Sequence, residues 1–144
     1  MRLRAALTDS FILFALLAAG AVHGDEFTVA LLQMKPDGDN LDANATKAEA
    51  FCRRAAKQAA DLALMPEMWS IGYTRPDSEK PESLQTFRQH AVKKDSRYVR
   101  HFSDLARDLD MAIGATYLED SPAGLRNTIT LFDRHGAEVL TYAK

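Results

Sequence analysis

The sequence predicts an α/β fold built on a mixed sheet, and three observations carry that prediction. An apolar segment, Phe27 to Met34, precedes a helical stripe rich in alanine. A second short apolar run, Leu62 to Met65, follows the stripe, and a strand–helix–strand order makes its two strands parallel neighbours. Near the other end, two alternating segments flank Asp133-Arg134-His135-Gly136, which is the chemistry of an antiparallel hairpin.

The elements follow in order. "FTVALLQM" (Phe27 to Met34) is apolar on both alternating faces apart from Thr28 and Gln33, the signature of a strand buried on both sides. Lys35-Pro36-Asp37-Gly38-Asp39-Asn40 is turn chemistry. From Leu41 the apolar positions fall at Leu41, Ala45, Ala48, Cys52, Ala55 and Ala59, a helical spacing. Leu62 to Met65 is the second buried strand. Tyr73 to Glu82 is polar with two prolines and reads as a surface loop. Ser83 to Leu109 is helical in pattern, most clearly from Tyr98 onward, where Val99, Phe102, Leu105, Ala106 and Leu109 share a face. Met111 to Leu118 is a third strand, and Asn127 to Phe132 with Glu138 to Tyr142 form the hairpin.

Composition bounds the function. The 144 residues are 47% hydrophobic and 26% charged, enough for one ordinary globular domain. The net charge is -2, and no basic cluster exceeds the pairs Arg53-Arg54 and Lys93-Lys94, so a nucleic-acid partner is not expected. Residues 1–24 have the parts of a signal peptide: Arg2 and Arg4, an apolar run from Phe11 to Val22, and a small-residue exit at Ala19-Gly20-Ala21. Asp9 is out of keeping with that form, and an extra N-terminal segment or a misassigned start are the alternatives. A genuine signal peptide makes the protein secreted or periplasmic; otherwise it is cytoplasmic. The run is too short for a stable membrane span.

The chemistry-bearing residues are few. The four histidines, His23, His90, His101 and His135, lack the close pairing of metal sites, and Cys52 has no thiol partner, so no metal is expected. Cys52 lies mid-helix on the alanine-rich face and reads as packing. Asn44-Ala45-Thr46 matches a glycosylation sequon, a pattern that arises easily by chance. Glu67 stands just beyond the end of a buried strand, where ligands of α/β sheets collect, although a solvated strand-end acid is the competing reading. By alternation Lys144 shares its face with Leu140 and Tyr142, and it too could be a solvated end. Gln33, Asn127 and Glu119 are polar residues best accounted for by sheet-edge hydrogen bonding or solvation.

The order "VALLQM", "NATKAEAFCRRAAKQAADLALMPEMWSIGY", "MAIGATYLED" and "RNTITLFDRHGAEVLTYAK" strongly resembles the carbon–nitrogen hydrolase (nitrilase) superfamily over residues 27–144. The resemblance implies the N-terminal half of a four-layer α-β-β-α sandwich with a mixed sheet, truncated here. It places the family's general base on Glu67 and its charge-stabilising lysine on Lys144. The Asn127-Thr128 start and the Asp133 to Gly136 turn match the hairpin between them. Trp69 and Tyr73 either line a substrate pocket or pack beneath the loop. A glutamate in a partly apolar pocket should have a raised pKa and be a better proton acceptor. The family's third member is a nucleophilic cysteine downstream of the lysine, to which Cys52 cannot correspond.

The activity implied is hydrolysis of non-peptide carbon–nitrogen bonds in a small-molecule amide, nitrile or carbamoyl substrate. The resemblance implies no cofactor, and a homo-oligomer for the full-length protein. It also implies that these 144 residues alone are inactive and leave a sheet face uncovered. The alternative is an inactive truncated half-domain or pseudoenzyme acting as an interaction module.

Overall fold

The computed structural model describes residues 26–77 and 79–144; the segment read as a signal peptide lies outside them. Five strands form one sheet in the order β1-β2-β3-β4-β5: β1 Val29–Leu31, β2 Leu62–Leu64, β3 Ala112–Ser121, β4 Gly124–Phe132 and β5 Glu138–Ala143. The first three are parallel and the last three antiparallel, so the sheet is mixed as expected. Helix α1 (Leu41–Lys57) joins β1 to β2, while α2 (Pro81–Gln89) and α3 (Arg97–Leu109) lie between β2 and β3.

Local chemistry sets the helix ends. The Asn40 side chain accepts from Ala43 N–H at 3.1 Å and the Ser96 hydroxyl accepts from Val99 N–H at 3.3 Å, each satisfying a donor that the first turn leaves unpaired. Helix α1 ends at Lys57, short of Ala59, whose left-handed φ of 57° turns the chain toward β2. Pro81 begins α2 from its first turn, where its missing N–H costs nothing, so the expected loop ends two residues early.

One face of the sheet carries the core. Ala48, Cys52 and Ala55 of α1 and Val99, Phe102, Leu105 and Ala106 of α3 pack on Ala63, Ile113, Ala115, Tyr117 and Phe132. Phe102, Ile113 and Tyr117 are fully buried, each contributing roughly 2–3 kcal/mol of burial by area. The opposite face is largely open. Val29 and Leu31 are 44% and 64% exposed, so β1 is buried on one side and not on both as its sequence predicts. The reason is that the main core cluster draws its α-helical residues from α1 and α3, both on the other side. Leu140 and Tyr142 of β5 extend the same open apolar row. Among the described residues no helix is long and apolar enough to cross a membrane.

Candidate active site

Glu67 follows β2 directly, and the chain then turns sharply. Met68 takes a left-handed φ of 50° and caps a 3-10 turn, Trp69–Ile71, that ends at Gly72 with φ 67°. A Cβ at Gly72 would lie 2.8 Å from the Gly38 carbonyl oxygen, so only glycine lets this loop close on the β1–α1 loop. Two hydroxyls pin the turn to β3. Thr116 Oγ1 donates to the Pro66 carbonyl and accepts from Trp69 N–H at 3.1 Å, bracketing Glu67. Ser70 Oγ accepts from Leu118 N–H at 3.0 Å. From below, buried Asn44 accepts from Asp37 N–H at 2.8 Å and donates to the carbonyls of Gly38 (3.0 Å) and Ser70 (3.3 Å). The sequon asparagine is thus an internal clamp, closed to glycosylation in this fold.

Lys144 follows β5, and its main chain exchanges both hydrogen bonds with Asn127 of β4, at 3.1 and 3.0 Å. That pairing sets the two side chains beside each other on the open face. Both reach Glu67. Lys144 Nζ lies 2.8 Å from Glu67 Oε1, and Asn127 Nδ2 donates to the same oxygen. The two long-separated residues singled out from sequence therefore meet, and Asn127, given there to sheet-edge bonding, joins them.

The three residues close one end of a cavity of about 270 Å³, whose other walls are Leu64, Met65, Thr116, Ile129 and Tyr142. The same three residues also line a second cavity of about 250 Å³, together with Met68, Tyr73 and Arg75. Tyr73 thus borders the cleft. Trp69 does not: it is 1% exposed, and its indole N–H donates to the Asn44 carbonyl at 2.8 Å, so it packs beneath the loop. Glu119 lies on the helix side of the sheet, where its carboxylate accepts from Thr128 Oγ1 at 2.7 Å.

The electrostatics correct one expectation. Glu67 is exposed, and the hydrogen bond from Lys144 holds its carboxyl below the ordinary range, outweighing desolvation, with Asn127 and the charge of Arg75 adding to the effect. The pairing in turn raises the Lys144 ammonium above its ordinary value. A raised Glu67 pKa needs an apolar surround that the open face does not provide. Both groups are therefore charged at neutral pH. Burial in α1, with the Glu49 charge adding, pushes the Cys52 thiol up to about 12, so this sulfur is an inert packing group. Among the described residues no three His, Cys, Asp or Glu side chains are grouped to hold a metal ion.

Residues 28–144 match the family described as carbon-nitrogen hydrolase. A nitrilase of Pseudomonas syringae is 32% identical over 117 residues, covering 77% of this chain and 34% of the nitrilase. The human omega-amidase NIT2 is 27% identical over 119 residues, covering 82% of this chain and 40% of its own length. Among solved structures, an amidase from Nesterenkonia sp. superposes with a TM-score of 0.60 at 23% identity, covering 82% of this chain and 42% of that one. The chain thus spans well under half the length of the proteins it matches.

Proposed function

Because the chain belongs to the carbon–nitrogen hydrolase family, we propose that Glu67 and Lys144 are the general base and the charge-stabilising residue of a hydrolase acting on amides, nitriles or carbamoyl compounds. The observation that carries the reading is the 2.8 Å contact between Glu67 and Lys144, made by residues 77 positions apart, in the wall of a mainly apolar cavity. A solvated strand end and a solvated terminal lysine have no reason to converge there.

The chemistry follows from the charges. A thiol has a pKa of about 8.5, so at neutral pH it needs a base, and ionised Glu67 takes its proton. The thiolate attacks the substrate's carbonyl or nitrile carbon, and negative charge develops on the atom opposite. As Glu67 becomes neutral its hold on Lys144 weakens, and the ammonium turns to that developing charge. In an amide the proton on Glu67 then passes to the leaving nitrogen, which departs as ammonia or an amine and leaves a thioester. Water hydrolyses the thioester, returning the thiol.

The nucleophile in this reading is a cysteine outside these 144 residues, since Cys52 is buried and inert. The further layers of the sandwich seat on the open apolar face and carry that cysteine to the cleft. The 144 residues alone are then inactive. The test is ammonia release from short aliphatic amides by the full-length protein. Replacing Cys52→Ser should leave turnover unchanged, while Glu67→Gln and Lys144→Met should each lower kcat by about 10²–10⁴-fold. Wild-type turnover in Glu67→Gln would overturn the assignment.

A further inference from the structure

The geometry points to Asn127 as the residue that divides the Glu67 carboxylate into a held oxygen and a working one, a positioning role that rests on Glu67 being the general base. Glu67 Oε1 receives both the Asn127 amide and the Lys144 ammonium. Among the described residues Glu67 Oε2 has no hydrogen-bond partner, so it is the oxygen left to take a proton. A carboxylate only accepts, which fixes the Asn127 amide with its NH₂ toward Glu67.

The two donors are not equivalent. Lys144 carries its charge on a flexible four-carbon stem, and in the proposed reaction it must leave Glu67 for the developing negative charge. A base held by lysine alone would lose its orientation at that moment. Asn127 is neutral and short, and its main chain is anchored on both sides of the pair with Lys144. It keeps Oε1 in place while the lysine moves, so Oε2 stays aimed through both proton transfers. The other charged or titratable groups facing Glu67 are Arg75 and Tyr73 of the following loop and Tyr142 of β5. None of these donates to the carboxylate, so none substitutes for the amide.

The test uses the full-length protein with Asn127→Leu, which keeps the shape without the donor, and Asn127→Asp, which replaces the donor with a second carboxylate. The main-chain pairing survives both, and Asn127→Asp remains readable should Asn127→Leu fail to fold. Expected in each is a loss of about 10- to 100-fold in kcat with KM changed less than about threefold, because orientation and not substrate binding is lost. The acidic limb of kcat/KM should move to higher pH, since removing a donor to the carboxylate favours its neutral form, and should move furthest in Asn127→Asp. A purely structural asparagine would leave that limb in place. Glu67→Gln measured alongside separates the claims: an inactive Glu67→Gln with wild-type kcat and acidic limb in both Asn127 variants overturns the positioning role alone, whereas an active Glu67→Gln overturns the base itself.

Discussion

At the scale of single residues, the site depends on side chains whose importance comes from where they are buried. Glu67 is visible in the sequence because a lone acid follows an apolar run and a proline. Asn44 is not, because nothing local marks a helix-first-turn asparagine as internal. Yet its side chain makes three hydrogen bonds to two loops and is wholly buried, and its carbonyl holds the Trp69 indole. Truncation at Asn44→Ala would strand Asp37 N–H and the carbonyls of Gly38 and Ser70. The expected cost is about 3 kcal/mol, read as a lower urea midpoint with an unchanged slope. A loss under about 0.5 kcal/mol, the size of an ordinary surface substitution, would show that the clamp is not a clamp. Trp69 has the same lesson in reverse: an aromatic beside the acid looks like a pocket wall, and only its hydrogen bond to α1 shows it to be a buttress.

At the scale of elements, α1, α3 and the parallel strands were legible from apolar spacing, and the hairpin from its turn. The helical stretch expected from Ser83 to Leu109, however, is broken at residues 90–96, where Val92 bridges Glu119 beside β3. What was not legible is the register that makes the site. Phe132 pairs with Glu138 but Leu131 pairs with Leu140, so β5 carries one extra residue, Val139, at a bulge. Counting back from the turn without it sets Asn127 opposite Ala143 and moves Lys144 to the helix side, since a one-residue slip exchanges the faces of a strand. The bulge returns Lys144 to the open face opposite Asn127. No residue type in "HGAEVLTYAK" announces it. Deleting Ala143, which moves Lys144 one place along β5 to the position opposite Thr128 on the helix side, should therefore break the Glu67–Lys144 contact while leaving the hairpin paired. The expected result is at least about a hundredfold loss of turnover in the full-length protein with strand content preserved by circular dichroism. Full activity would mean that the lysine reaches Glu67 by another route. The β3–β4 pairing was missed for a related reason: Ser121-Pro122-Ala123-Gly124 is a short turn that the polar run around it disguises.

At the scale of the whole molecule, the described residues form a sheet finished on one side and open on the other. The open side holds exposed Leu31, Leu140 and Tyr142 together with the cleft. The downward pull on Glu67 belongs to this open state, in which solvent reaches both partners of the ion pair. Covering the face would remove water, strengthen every charge interaction within, and add the desolvation that raises a carboxylate's pKa. In the open state, where the Lys144 pair outweighs desolvation, the raised basicity expected from the sequence is absent from the site. Its geometry, by contrast, is already set by β2, β4 and β5. The central claim is that Glu67 activates a thiol supplied from outside these residues, and intact-mass spectrometry of the full-length protein mixed with a short aliphatic amide tests it directly. The account predicts an acyl adduct on a cysteine other than Cys52 in the wild type, and none on the same timescale in Glu67→Gln. An adduct formed at wild-type rate in Glu67→Gln, or one carried by Cys52, would contradict it.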